Sequence, residues 1–337
     1  MLLSDPSRLV AWFDAHIAPP SGVLRITKIR GGSSNSLFRI ERNGIVYALR
    51  RPPVTANHPT SHDLSREILL LTALGRTSIP HSRLIAATTD TSWIGSPFML
   101  LTWVTGFTPR DPMPAPFDHD LEARRMLGES VIDSLADIGQ IDWRRIDLAR
   151  FGKPEGFLGR QVDRWRSQYE TYATREVAGL DDLSIWLRKN VPARFEPALM
   201  HGDYSFANII IAPHTPARVA AVLDWELATI GDPLLDLGHV LSSWGGHGDG
   251  TTWADYVDWD RGFAARREMA DRYALRSGRD IGKLPFYMAL ALFRLAVLLE
   301  GSYARWLKGR STNPRHAVFE TRVPAIILQG VRTIEHY

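Results

Sequence analysis

The chain has 337 residues, enough for one large domain or two smaller lobes around a substantial core. Hydrophobic residues make up 45% and the net charge is only +3, which excludes a disordered chain and gives no Lys/Arg run for a nucleic-acid groove. With no cysteine, disulfides, thiol chemistry and Cys-ligated zinc are excluded, and a cytoplasmic setting is expected.

The opening stretch, MLLSDPSRLVAWFDAHIAPP, does not read as a signal peptide, because Asp5, Arg8 and Asp14 interrupt its apolar core. Asp5-Pro6 reads instead as the start of a short helix. From residue 23 to 50 the pattern is β: VLRITKI, SLFRIER and IVYALR, with Asn43-Gly44 as a hairpin turn. Between the first two strands lie Gly31, Gly32, Ser33, Ser34 and Asn35. These residues tolerate unusual φ and leave backbone N–H groups open, which suits a phosphate cradle as well as a plain hairpin loop. A Pro-rich connector follows, and then a helix capped by Ser61 or Asp63 and stopped at Gly75. Glu67 sits beside the apolar face of this helix, with Arg50 as the cation for it to meet.

Two further strands are expected near residues 84–88 and 97–103. The Pro/Gly-rich stretch at 106–116 marks a boundary, giving lobes over 1–104 and 105–337. Beyond it the periodicity is helical over 120–140, 159–174, 184–189, 261–276, 284–307 and from about 317. The most apolar run, 284–299, is shorter than a membrane span and carries Arg294, so a buried helix and no membrane partner are expected.

The densest chemistry lies between residues 199 and 239. His201-Gly202-Asp203 suits a tight exposed turn, Asn208 follows, and an apolar return strand ends at Asp224-Trp225-Glu226. A strand–turn–strand between them is expected to bring Asn208 and Asp224 together as hard oxygen donors for magnesium. Asp203 is then free to accept a hydrogen bond from a substrate hydroxyl. His201, Asp232 and Asp236 read as bracing groups.

HGDYSFAN keeps the Asp-to-Asn spacing of the protein-kinase catalytic loop, and VLDWE is similar to its D-F-G segment. On these motifs the whole chain resembles the aminoglycoside phosphotransferase-like kinases. The resemblance implies an α+β, protein-kinase-like two-lobed fold, with a small antiparallel-sheet N-lobe and a larger, mainly helical C-lobe. It implies Asp203 as the catalytic residue, and Asn208 and Asp224 as ligands of Mg2+. YALR resembles the third-strand V-A-I-K segment, which implies Ala48 against adenine, Arg50 on the phosphates and Glu67 as the partner of Arg50. FMLLTWVTG resembles the hinge, implying that the Thr102 carbonyl and Val104 N–H hold the base of ATP or GTP. Two departures stand out: arginine replaces the usual lysine at residue 50, and no full G-x-G-x-x-G is present.

GGSSNSLFRIERNGIVYALRRPP, GFLGRQVDRWRSQYE and AVLDWELATIGDPLLDLGH resemble the subgroup whose kinase domain is also found fused to acyl-CoA dehydrogenases. That implies a hydroxyacyl-CoA or hydroxy acid as the small hydroxylated acceptor, and an arginine at the third-strand position. An aminoglycoside acceptor, a catalytically weak nucleotide-binding pseudokinase and a metallohydrolase built on His201, Asp203, Asp224 and His239 are the alternatives. The protein is expected to act as a monomer or homodimer. The stretch 242–260, rich in Trp and Asp, is either part of the acceptor pocket or a loop anchored by its tryptophans. Arg160 and Arg164 share a helix face that either holds an acidic group or simply meets solvent.

Overall fold

A computed structural model describes residues 6–19, 21–29, 36–52, 64–245, 253–254, 256–311 and 313–335. Gly31, Gly32, Ser33, Ser34 and Asn35, and the expected caps Ser61 and Asp63, lie outside the described residues. The chain divides into two compact units, Met1–Thr105 with Ala220–Glu226, and Gly106–Val219 with Leu227–Tyr337. The short segment Ala220–Glu226, which the lobe boundaries above assign to the second lobe, groups with the first.

The first unit is built on a five-stranded antiparallel sheet. Its strands are β1 (Arg25–Ile29), β2 (Ser36–Arg42), β3 (Ile45–Arg51), β4 (Leu84–Thr88) and β5 (Phe98–Thr102), in the order β1-β2-β3-β5-β4. Asn43 and Gly44 both take positive φ (51° and 77°), the turn that lets β2 and β3 pair from Arg42 opposite Ile45 up to Ser36 opposite Arg51. One sheet face is covered by α1 (Pro6–His16), whose Leu9, Trp12 and Phe13 recur at helical spacing and are buried with Phe38, Ile40, Leu49, Phe98 and Leu100. The helix α2 (Ser65–Leu74) is stopped at Gly75 and buries Glu67 in its first turn.

The second unit is mainly helical. It contains α3 (Leu121–Ile138), α4 (Phe157–Tyr172), α5 (Leu180–Lys189), α6 (Leu234–Ser243), α7 (Arg266–Ser277), α8 (Leu284–Leu307) and α9 (Phe319–Glu335). Asp120 caps α3 by accepting the Ala123 N–H at 3.0 Å. α5 begins four residues earlier than its apolar pattern suggests (184 − 180), because Gly179 turns the chain at φ 79° and Asp181 and Asp182 favour a helix N-terminus. α8 is the central element, packed by α4, α5, α6 and α9. It runs eight residues past Leu299 (307 − 299), so its 24 residues are long and apolar enough to cross a membrane. These are the bounds expected from the sequence, and burial, rather than the length of the most apolar run, marks it as a core helix: 67% of its most apolar window is inside the protein.

Short strands frame the loop of interest. β6 (Ala198–Met200) pairs antiparallel with β9 (Thr229–Gly231) immediately before His201, and β7 (Ile209–Ile211) follows Asn208. The return turn is closed by the Ala212 N–H donating to the Arg218 carbonyl at 3.0 Å, and the chain enters the first unit within β8 (Val219–Val222).

Candidate active site

In the first unit, β3 delivers Arg50 into a buried cluster of carboxylates. Its guanidinium donates to Glu67 of α2, to Asp224 at 2.7 Å and to Glu226 at 3.1 Å. Arg50 is 8% exposed and Glu67 is 6% exposed, while the Asp224 and Glu226 side chains are about a third open to solvent. One cation thus serves three carboxylates. Burial pushes the Glu67 carboxyl up to about 7; Arg50 pulls it down, and Asp224 and Glu226 push it further up. On Arg50, burial works against the charge, and Glu67, Asp224 and Glu226 outweigh it, raising its pKa. Asp224 holds φ 64°, a conformation that L-residues adopt at a cost, with Asn and Asp among the most tolerant. The strained backbone sits at the most chemically loaded position of the segment.

In the second unit, the loop after β6 is fastened from four directions. The buried carboxylate of Asp236 in α6 accepts the backbone N–H groups of His201 (2.5 Å) and Gly202 (2.9 Å). Tyr204, fully buried, donates its hydroxyl to the Val131 carbonyl of α3 at 2.7 Å. Phe206 is lodged among Trp244, Trp259 and Phe263, with ring centroids 5.6, 5.2 and 6.0 Å away. Arg294 of α8 donates to the Gly202 carbonyl and lies over the Trp165 ring. Gly202 takes φ 84°, and a Cβ there would overlap the Leu227 carbonyl, so the middle residue of His-Gly-Asp must be glycine.

This scaffold presents Asp203 with its side chain 44% exposed. Asn208 Nδ2 donates to the Asp203 carbonyl and to its Oδ2, both at 2.9 Å. The Asn208 amide oxygen is left to face another partner. His239 Nε2 lies 3.4 Å from the other carboxylate oxygen, Oδ1. Burial disfavours the Asp203 charge, but His239 foremost, with Arg294 adding, holds the carboxyl below the ordinary carboxylate range. His201 Nδ1 accepts the Asp203 N–H at 3.2 Å, so this nitrogen is an acceptor and the histidine braces the turn. Asp232 accepts the Leu234 N–H and the Tyr287 hydroxyl, a turn-and-core role.

The residues expected from the sequence therefore fall into two sets. Arg50, Glu67 and Asp224 meet in the first unit; Asp203 and Asn208 meet in the second. Ala48 is buried in β3, opposite Leu101 of β5; Thr102 ends β5, and Val104 lies two residues beyond it. Sequence reading missed Glu226 as a partner of Arg50 and placed His239 only in a hydrolytic alternative. No short-range pattern flags either one, because Glu226 lies 176 positions from Arg50 and His239 is 36 from Asp203 (239 − 203). Among the described residues no three His, Asp or Glu side chains gather as a metal site by themselves. Arg160 is committed to the Lys153 and Glu155 carbonyls and Arg164 lies over Trp165, so this helix face braces its own loop. Trp244 and Trp259 are buried anchors, Trp244 Nε1 donating to the Ala264 carbonyl at 2.9 Å.

Comparison with known proteins bears on this arrangement. Acyl-CoA dehydrogenase family member 11 of Mus musculus is 33% identical over 319 residues, covering 92% of this chain and 40% of its own length. The chain thus spans about two fifths of that relative. A crystal structure from Ralstonia eutropha, described as a candidate aminoglycoside phosphotransferase, superposes with a TM-score of 0.83 at 28% identity, covering 98% of each chain. A thermostable mutant of aminoglycoside phosphotransferase APH(4)-Ia, solved with AMP-PNP and hygromycin B, shares the fold at a TM-score of 0.61 and 16% identity, covering 96% of this chain and 99% of its own. The small antiparallel sheet and helical part are those of the protein-kinase-like fold of these enzymes. Residues 25–272, well over half of the chain, match the family described as "Phosphotransferase enzyme family", and the chain belongs to that family of small-molecule kinases.

Proposed function

We propose that the protein transfers the γ-phosphoryl group of ATP, with Mg2+, to a hydroxyl of a small molecule, and that the acceptor is a hydroxyacyl-CoA or a related hydroxy acid. The observation that carries the reaction is the half-exposed Asp203 carboxylate, held by Asn208 and kept ionised by the groups around it. An ionised carboxylate on a rigid loop can accept the acceptor proton as its oxygen attacks the γ-phosphorus. The new O–P bond forms as the bond to the β–γ bridging oxygen breaks. ADP leaves with that oxygen, and the proton passes from Asp203 to solvent.

The donor chemistry fits magnesium. Asp224 offers a partly open carboxylate, and Asn208, its amide nitrogen engaged, offers an amide oxygen; both are hard ligands of the kind the ion prefers. A magnesium ion held by such donors would neutralise charge on the phosphates. The excess of carboxylate around Arg50 is what a divalent cation would relieve. Arg50 is the group proposed to grip the phosphates, its guanidinium oriented by Glu67, with Ala48, Thr102 and Val104 proposed around the base. GTP is the alternative donor. Gly31, Gly32, Ser33, Ser34 and Asn35 belong to the same nucleotide proposal on sequence grounds alone.

The acceptor class rests on the relative named for acyl-CoA dehydrogenase, over 92% of this chain. The likeness to a candidate aminoglycoside phosphotransferase supports the second reading. An ATP-consumption screen of hydroxyacyl-CoAs, hydroxy acids, aminoglycosides and amino alcohols tests both. Magnesium-dependent turnover on the first two classes is expected. Turnover confined to aminoglycosides overturns the acceptor, and nucleotide binding with no turnover on any of them favours a pseudokinase.

A further inference from the structure

We propose that His239 is a positioning residue for Asp203: its imidazole holds one carboxylate oxygen while Asn208 holds the other, leaving the open edge of the carboxylate to the acceptor hydroxyl. The inference rests on the reading of Asp203 as the group that receives the acceptor proton.

His239 Nε2 is 3.4 Å from Asp203 Oδ1, and Asn208 Nδ2 is 2.9 Å from Oδ2. The Nε2 atom is buried and makes no well-aligned hydrogen bond, so the carboxylate beside it is the anion to which it is directed. A separation of 3.4 Å is at the outer limit for such a bond, and contacts of this kind tighten when substrates bind. The ring is not loose. Trp253 lies against it with centroids 5.5 Å apart. Trp253 Nε1 donates to Ser242 Oγ at 3.1 Å, and Ser242 Oγ donates to the His239 carbonyl at 2.8 Å. Ring, neighbour and backbone thus form one closed clamp. The His239 side chain is 8% exposed against 44% for Asp203, so an acceptor meets the carboxylate and the histidine acts through it.

Other groups face Asp203 as well: His201 on its own loop, Arg294 from α8 and Tyr256. They remain when His239 is replaced, so the effect of replacement is partial.

Two measurements on the full chain decide the matter. In 15N-histidine-labelled protein, long-range 1H–15N correlation is expected to show a protonated His239 Nε2 whose resonance moves in Asp203→Asn. An unprotonated Nε2, or one indifferent to Asp203→Asn, overturns the contact whatever the protein phosphorylates. Steady-state ATP hydrolysis, with water as the acceptor, is then compared in His239→Phe, which keeps a ring against Trp253, and His239→Gln, which restores an N–H donor. The expected result for His239→Phe is a kcat lower by roughly 10–100-fold with an unchanged KM for ATP, and partial recovery in His239→Gln. An unchanged kcat, or a KM for ATP that rises in step with the loss, overturns positioning. If Asp203→Asn itself leaves turnover intact, the functional reading fails, and the resonance experiment still judges the contact.

Discussion

The two clusters of charge in this protein are balanced in opposite senses. Around Arg50, one guanidinium faces Glu67, Asp224 and Glu226, so anions are in surplus. Around Asp203, a single carboxylate is faced by His239, His201 and Arg294, each of which favours its charged form. Burial penalises charge in both places, yet the outcomes diverge: the Glu67 carboxyl is pushed up to about 7, whereas the Asp203 carboxyl stays below its usual range. Burial alone therefore does not set the behaviour of a carboxylate here; the sign of its neighbours does. A surplus of anions suits a group that awaits a metal ion, and an ionised carboxylate suits a group that must take a proton.

The sharpest way to break this contrast is to remove the charge of Asp203. Asp203→Asn keeps the size of the side chain and offers an amide to Asn208 and His239 in place of the carboxylate. On the proposed reading, turnover falls by about 10^3-fold while nucleotide affinity holds, measured by ATP consumption beside a binding titration. Near-wild-type turnover would mean that the ionised state of Asp203 serves stability alone.

The matching change in the other cluster is Asp224→Asn. Asparagine tolerates the φ of 64° that Asp224 holds, so the substitution removes charge without adding backbone strain. Nucleotide affinity in the presence of magnesium is expected to fall at least tenfold, and affinity without magnesium to change little, by calorimetric titration in each condition. Asp224→Ala should show the same loss together with about 1–2 kcal/mol of lost stability, since alanine lacks the local hydrogen bonding that lets Asp and Asn sit there. Equal losses with and without magnesium would detach Asp224 from the metal.

A third change tests the scaffold rather than the charge balance. In Asp236→Asn the side chain can accept only one of the two N–H bonds from His201 and Gly202, and its amide nitrogen faces the other donor. A buried donor left unsatisfied costs about 1–3 kcal/mol, so the urea midpoint should fall accordingly. A stability within error of the wild type would show that the loop is held adequately by Tyr204, Phe206 and Arg294.

Which parts of these clusters were legible in the sequence follows from how each contact is made. Arg50 and Glu67 could be paired because the strand and the next helix in the chain each announce themselves by local pattern. Asp203 and Asn208 are five residues apart, so one turn fixes their relation (208 − 203). The Asn43-Gly44 hairpin is equally local. Glu226, His239 and Arg294 were not legible as partners, because helix and strand packing brings them in from distant parts of the chain, and no periodicity encodes that. The Arg160–Arg164 face was left open for a related reason: spacing shows that two arginines share a face, but not that Arg160 bends back onto the Lys153 and Glu155 carbonyls.

The smallest expected effect bears most directly on the surplus of anions. In Glu226→Gln the third carboxylate on Arg50 loses its charge, while Glu67 and Asp224 keep theirs. The Glu226 side chain is 38% exposed, and water screens its attraction to Arg50, so the lost pair is worth less than about 1 kcal/mol. Against that loss stands relief of repulsion on Glu67, because Glu226 is one of the groups pushing its carboxyl up. The pH dependence separates the two terms. A carboxyl raised from 4.5 to about 7 in the folded protein contributes stability that is full below pH 4.5 and is lost as pH rises through about 7. Lowering that value recovers part of the loss. With a chelator present to exclude metal, Glu226→Gln should therefore gain stability on the wild type as pH rises from 4.5 to 7, and the advantage should disappear toward pH 4.5. A variant that is less stable by the same amount at every pH would make Glu226 a plain partner of Arg50, and the first cluster would then be balanced rather than anionic.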